Sequence, residues 1–306
     1  MSMTKKDLTS GALLLLTAAI WGFAFVAQKV GSAYVGSFTF NGIRFLIGSA
    51  SLLPVIWLLG RKRTVSGKQA RVFDRRTLLI GAGAGVILCI AANLQQLGIA
   101  GFAGLPGTTA GKAGFITALY VVLVPVCGIF MKQRVGVNVW AGMALAITGI
   151  YLLSVTGDFR IGFGDLVVLV CAFFFTAHIL YIDHVVRDAD PVKISCVQFA
   201  VAGVISLVIA LCTEPIAWSG IMSAAPAILY GGVMSTGVAY TLQVVAQRDA
   251  RPAPAAIILS MESVFSVIGG ALLLDEQMTA RGYLGCVLVL AALILAQVKF
   301  GKKENV

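Results

Sequence analysis

Ten apolar stretches, near residues 11–31, 38–59, 78–99, 109–131, 137–156, 161–182, 192–213, 224–246, 253–274 and 280–299, leave this 306-residue chain little length for anything else. A membrane-spanning helix needs roughly 20 predominantly apolar residues, so ten spans take about two thirds of the chain and the connectors are too short for a soluble domain. Composition agrees: 12% of the residues are charged, against about a quarter in soluble domains. Few stretches alternate with period two, and backbone inside lipid must satisfy its own hydrogen bonds, so helices are expected rather than barrel strands. The expected fold class is all-α integral membrane, with ten transmembrane helices numbered 1 to 10 in chain order. Lys5 and Lys6 precede the apolar run Leu13–Ile20 as in a signal peptide, but the run continues through Trp21 to Val30 without a cleavage site, so it reads as helix 1.

The chain carries 23 Lys and Arg against 13 Asp and Glu, a surplus that in a soluble protein would suggest nucleic acid. Here it reads as a topology signal, because Lys and Arg collect in cytoplasmic loops. With the N-terminus inside, the cytoplasmic segments hold Lys5, Lys6, Arg61, Lys62, Arg63, Lys68, Arg71, Arg75, Arg76, Lys132, Arg134, Arg187, Lys193, Arg248, Arg251, Lys299, Lys302 and Lys303, which is 18 of the 23. The opposite side holds Lys29, Lys112, Arg160 and Arg281, and Arg44 lies within helix 2. Both termini are therefore expected in the cytoplasm of a bacterial inner (plasma) membrane, and no nucleic-acid partner is expected.

Cys89, Cys127, Cys171, Cys196, Cys212 and Cys286 each lie in an apolar run without a CxxC pair or metal-spaced His, and read as small apolar fillers. No metal or cofactor is expected. The sequences GxxxxGK[ST], HExxH and GxSxG are absent, which argues against ATP drive and against an intramembrane enzyme.

The two halves repeat. An offset of 143 sets Trp140, Gly142 and Leu145 on Tyr283, Gly285 and Leu288; an offset of 147 sets Gly85, Ala92 and Gln96 on Gly232, Ala239 and Gln243. An offset of 153 sets Gly11, Leu13 and Ala19 on Gly164, Leu166 and Ala172, and one of 154 sets Phe45 on Phe199. Each repeat (1–157 and 158–306) holds five spans, an odd number, so the second enters the membrane upside down. Inverted repeats of this kind mark secondary transporters, with the substrate site near the midplane between repeats.

The residues also carry a family resemblance. Trp21-Gly22-Phe23-Ala24-Phe25-Val26, Arg44-Phe45, Gln95-Gln96-Leu97-Gly98, Thr109-Ala110-Gly111-Lys112-Ala113-Gly114-Phe115-Ile116-Thr117, Ser260-Met261-Glu262-Ser263-Val264-Phe265 and Leu274-Asp275-Glu276 resemble the drug/metabolite transporter superfamily in its ten-helix EamA branch. The resemblance covers essentially the whole chain. It implies a 5+5 basket-shaped bundle whose cavity is lined by helices 1, 3, 4, 6, 8 and 9 and moves metabolites such as amino acids, amines or carboxylates. Where many relatives have Pro in mid helix 9, this chain has Glu262-Ser263.

An ionisable group at the bilayer centre costs at least about 2.5–3.5 kcal/mol on insertion scales, so Glu262 is the leading candidate for function. It lies about ten residues into helix 9, near the middle of a roughly 30 Å hydrocarbon core, where a carboxyl group serves as a proton or cation site or as an interior hydrogen-bonding acid. Lys112, near the outer end of helix 4, lies two turns from Leu119, the residue aligned with Glu262 at offset 143; it either attracts an anionic group of the substrate or snorkels outward. Trp21, Phe25 and Gln28 form one stripe of helix 1, matched in helix 6 by Phe174, His178 and Tyr181. Asn93 and Gln96 in helix 3 are matched by Tyr240 and Gln243 in helix 8. Buried amides and phenols need partners, so these stripes read either as cavity walls or as interhelical hydrogen bonds. Arg44, whose repeat equivalent is the neutral Gln198, reads as structural, pairing with carbonyls or snorkelling outward. Asp183, His184, Arg187, Asp188, Asp190 and Lys193 read as a solvated loop, and Asp275 and Glu276 as solvated at the outer end of helix 9. Pro125 in helix 4 and Gly269-Gly270 in helix 9 are candidate bending points or close-packing sites.

The expected function is a secondary transporter of a small polar or amphipathic metabolite, an amino acid, amine or related compound, by alternating access with protons as a possible coupling ion. The substrate-binding set is Trp21, Phe25, Gln28, Asn93, Gln96, Lys112, His178, Tyr181, Tyr240, Gln243 and Glu262, with Glu262 as the proton-coupling residue. The alternatives are an organic-cation or drug efflux transporter and, more remotely, a channel. The partners are the substrate and the lipid bilayer, and a monomer suffices. The charge count generates a direct test of topology: Ser66→Cys is expected to react with an impermeant thiol reagent only after the membrane is opened, and labelling from the periplasmic side of intact cells would overturn the orientation.

Overall fold

The computed structural model describes residues 5–64, 73–102, 104–131, 135–154, 161–273 and 280–297. Ser66, Lys68, Arg71, Lys132, Arg134, Arg160, Leu274-Asp275-Glu276, Lys299, Lys302, Lys303 and the 157/158 boundary lie outside them. Within the described residues, eight helices are long and apolar enough to cross a membrane. Helices 1, 2 and 3 are Lys5–Gly31, Ser37–Thr64 and Arg75–Ala100. Helix 4 is built of two pieces, Ala110–Thr117 and Tyr120–Phe130, helix 6 is Phe163–Val185 and helix 7 Pro191–Thr213. Helix 8 runs over Ala225–Gln247, and helix 9 is again two pieces, Pro252–Leu259 and Glu262–Leu273. Two shorter apolar helices occupy stretches 5 and 10, Val137–Ser154 and Ala280–Gln297. Two elements are absent from the sequence reading: a two-residue antiparallel pairing of Gly101–Phe102 with Leu105–Pro106, and a short helix Trp218–Ser223.

Packing between the halves is symmetric. Helix 1 packs on helices 8 and 9 as helix 6 packs on 3 and 4; helix 2 packs on 8 as 7 does on 3; and 2 pairs with 7, 4 with 9 and 5 with 10. The glycines chosen at these crossings repeat as well. A Cβ on Gly85 would lie 2.7 Å from the carbonyl of Gln198 and 2.8 Å from Cβ of Val201; on Gly232 it would lie 3.0 Å from the carbonyl of Arg44 and 2.8 Å from Cβ of Ile47. These contacts fix the offset of helices 3 and 8 at 147 and of helices 2 and 7 at 154. On the axis between repeats, Phe45 and Phe199 stack with ring centroids 6.4 Å apart.

Three helices depart from regular winding. In helix 4 the turn at Ala118 and Leu119 is tightened by three-residue bonds, with Leu119 N–H donating to Ile116 and Val121 N–H to Ala118. In helix 9 the corresponding turn is at Ser260 and Met261, where Met261 N–H donates to Ile258 and Ser263 N–H to Ser260. There the hydroxyls of Ser260, Ser263 and Ser266 bond carbonyls three residues back, competing with the helical ladder. The bends thus fall elsewhere than at Gly269-Gly270, through which helix 9 runs unbroken; a Cβ on Gly269 would stand 3.1 Å from the Phe23 ring, so this glycine serves close packing. Pro125 likewise lies inside a continuous piece, a turn beyond the break. In helix 8, Tyr230–Tyr240 is wound as a π-helix, and two of its carbonyls, Ser235 and Ala239, accept side-chain bonds from Trp21 and Thr17 of helix 1.

Helices 3 and 6 cross glycine to glycine: a Cβ on Gly98 would lie 2.4 Å from Val168 Cγ2 and 2.8 Å from the carbonyl of Gly164. Gly98→Val is therefore expected to destabilise the folded protein by about 1–3 kcal/mol, read as a lower melting temperature in detergent. Gly111→Ala, where a Cβ meets nothing within 4 Å, is expected to leave it unchanged.

Candidate functional site

The breaks in helices 4 and 9 each start a new helical piece at the same depth, and the residues placed there meet. Tyr120 opens the second piece of helix 4 and Glu262 that of helix 9. The Tyr120 hydroxyl donates to Oε1 of Glu262 at 2.9 Å. Glu262 is 3% exposed and stands in the first turn of the second piece of helix 9, where the positive end of the helix dipole favours negative charge. The offset at the breaks is 142, so Tyr120, and not Leu119, is the repeat partner of Glu262.

Around this pair lies a cavity lined by Trp21, Ala24, Phe25, Gln28, Arg44, Gln95, Thr117, Tyr120, Phe175, Ser235, Tyr240 and Glu262. Its volume is about 30 Å³, room for two or so waters at roughly 10–15 Å³ each. An aromatic wall forms one side: Trp21 and Tyr240 have ring centroids 4.5 Å apart and Tyr240 touches Phe199 edge-on at 6.0 Å. Arg44 is 2% exposed. Its Nε donates to Asn41 Oδ1 at 2.8 Å, and its guanidinium carbon lies 4.9 Å from the Phe45 ring centroid and 5.7 Å from that of Phe40. Among the described residues Arg44 and Glu262 form no ion pair with each other.

The EamA-like transporter family profile matches residues 9–155 and again 162–297. The chain belongs to this family. It is 30% identical over 300 residues, 96% of this chain and 87% of the other, to an uncharacterized transporter of Archaeoglobus fulgidus. It is 26% identical to a probable amino-acid metabolite efflux pump of Escherichia coli, over 96% of this chain and 95% of that one. A solved crystal structure at 16% identity shares the fold with a TM-score of 0.73, over 94% of this chain and 96% of its own. The protein is thus a multi-pass membrane transporter, a kind of protein that lies in a lipid bilayer and binds a small-molecule substrate.

The cavity of this EamA transporter brings together five of the sequence-derived candidates, Trp21, Phe25, Gln28, Tyr240 and Glu262. The other six lie elsewhere. Asn93 is a buried joint, donating to the Cys89 carbonyl and to Ser206 Oγ, both at 2.8 Å, while accepting from Asn41. Gln96 donates to the Gln28 carbonyl at 3.2 Å behind the cavity wall. Gln243 is buried outside the lining, in the α-helical piece Thr241–Gln247 that follows the π segment. His178 pairs with Gln198 at 2.9 Å, and the Tyr181 hydroxyl donates to the Ile80 carbonyl at 3.3 Å. Lys112 forms an ion pair with Asp165 at 3.2 Å, and Asp165 also accepts from Thr108 and from the Gly162 N–H. That link joins the N-terminal ends of helices 4 and 6, so Lys112 is neither free to snorkel nor set in the cavity.

Six polar or aromatic lining residues, Arg44, Gln95, Thr117, Tyr120, Phe175 and Ser235, stand outside the substrate-binding set read from the sequence. Phe175, and not Phe174, enters from helix 6, because helices 1 and 6 follow the 154 offset that sets Trp21 on Phe175. Gln95 stands in for Gln96, and its Nε2 donates to Thr117, a second such residue, at 3.1 Å. Tyr120 carried no charge to mark it, and Arg44 was assigned to structure because its symmetric partner is neutral. The pairing of Tyr120 with Glu262 would have been visible had the helix-4 offset been set by the Ser-rich turn of helix 9.

Proposed function

We propose that this transporter carries a small polar or amphipathic metabolite by alternating access, as ten transmembrane helices in two inverted five-helix repeats, 1–157 and 158–306. The observation that carries the reading is the hydrogen bond between Tyr120 and Glu262, which joins the paired helix breaks at the centre of the lined cavity. Broken helices at the midplane are the places where transporters bind substrate and change shape, and the contact symmetry supplies two halves that can rock against each other. Room for only a few waters means the substrate enters a cavity that opens. Glu262 is the proton-coupling residue: substrate binding at the carboxyl group competes with Tyr120, and the proton is exchanged as the cavity opens to the other side. The protein works as a monomer in the bacterial plasma membrane with both termini cytoplasmic.

The substrate contacts in this reading are Trp21, Phe25, Gln28, Tyr240 and Glu262. Asn93, Gln96, His178, Tyr181 and Gln243 are the polar residues that flank the site, with Lys112 at the outer helix ends. A relative named a probable amino-acid metabolite efflux pump supports an amino-acid-like cargo. The organic-cation alternative draws on the aromatic wall beside an acid, but the buried Arg44 in the same lining repels a cation.

Glu262→Gln keeps the size and polarity of the side chain. In proteoliposomes, where the lost charge also weakens the substrate contact, it is expected to keep exchange at raised substrate concentration and to lose accumulation driven by a pH gradient. Gradient-driven accumulation at the wild-type level in the folded variant would remove the coupling role.

A further inference from the structure

The two charged residues of the cavity are held apart, and each is held by a neutral neighbour. Tyr120 takes one oxygen of Glu262. Asn41 takes only Nε of Arg44, and Asn41 is itself fixed by donating to the Ala92 carbonyl and to Asn93 Oδ1, both at 2.9 Å. Asn93 continues the chain to Ser206 of helix 7. The guanidinium is further held by the Phe40 and Phe45 rings, and its stem by helix 8, where a Cβ on Gly231 would stand 3.2 Å from Arg44 Cδ.

With Nε occupied, the two terminal nitrogens of Arg44 form the end of the fork that matches a carboxylate bidentately. An arginine buried to this degree needs a counter-charge, and among the described residues no carboxylate supplies one. The repeat positions sharpen this: the two symmetric pairs are Arg44 with Gln198 and Tyr120 with Glu262. One member of each pair is charged, with opposite sign in opposite repeats, so the pseudo-symmetric cavity has one positive and one negative end.

We propose that Arg44 is the anchor for the substrate's carboxylate and that Glu262 receives its ammonium group, so that the cargo is a zwitterionic amino acid with an apolar or aromatic side chain against Trp21, Phe25 and Tyr240. This rests on the transport reading of the cavity. A zwitterion pairs both buried charges and adds no net charge to the bundle. An amine leaves Arg44 without a partner, and a simple carboxylic acid leaves Glu262 without one.

Thermal-shift titration of the purified full chain tests this with leucine and phenylalanine, with isopentylamine and phenethylamine, which lack the carboxylate, and with 4-methylpentanoate and 3-phenylpropanoate, which lack the ammonium. The wild type is expected to bind the amino acids about 10- to 100-fold more tightly than either set of analogues, the range for a hydrogen-bonded charge contact. Arg44→Gln is expected to erase the preference for amino acid over amine. Arg44→Lys, which keeps the charge and loses the fork, should restore part of it. Amines that bind the wild type as tightly as the amino acids overturn the assignment of Arg44 and leave the transport cavity standing. Failure of the amino acids both to bind and to exchange in proteoliposomes overturns the zwitterion assignment, while the coupled-transport reading, which holds for any small polar metabolite, falls only if Glu262→Gln leaves gradient-driven accumulation unchanged.

Discussion

A charge removed from water inside an apolar bundle must be paired, neutralised or turned toward a cavity. Arg44 and Glu262 set that problem for the rest of the structure, at 2% and 3% exposure in the lining of one small space. Their immediate supports are neutral: an amide for the cation, a phenol for the acid. Such contacts fix orientation without cancelling charge, and they keep the two groups from collapsing onto each other. The relay from Arg44 through Asn41 and Asn93 to Ser206 ties helices 2, 3 and 7 into a frame. The Tyr120 bond ties helix 4 to helix 9. The bundle is thus rigid behind the cation and jointed at the acid.

The jointing follows from how backbone bonds are spent. Helices 4 and 9 each give up regular bonding for one tightened turn, and helix 8 yields two carbonyls to helix 1 through Trp21 and Thr17. Lipid offers no hydrogen bonds, so these departures persist only inside the protein. All three irregular helices border the cavity, which is where a change of shape has to be accommodated.

Much of the fold was legible because lipid imposes a coarse rule: an apolar run of sufficient length becomes a helix. The ends of helices 2, 3, 7 and 8 fall within a few residues of the hydropathy reading except where helix 2 continues to Thr64. The side-chain level was less legible, because a shift of one residue rotates a helix by about 100°. Aligning Glu262 with Leu119 hid Tyr120, and aligning Trp21 with Phe174 hid Phe175. Lys112 was misjudged because its partner, Asp165, lies 53 positions away on another helix. Arg44, read as structural, stands in the cavity lining, and nothing local in the sequence distinguishes a cation that faces a cavity from one that faces a carbonyl.

The account stands on one cavity receiving the two ends of one ligand. A structure of the protein with leucine bound in a lipid environment tests that most directly. The account predicts the carboxylate on the two terminal nitrogens of Arg44, at about 2.7–2.9 Å, with the ammonium at Glu262 and the side chain on the aromatic wall. Leucine seated with its carboxylate away from Arg44, or held outside the space between Arg44 and Glu262, would contradict it.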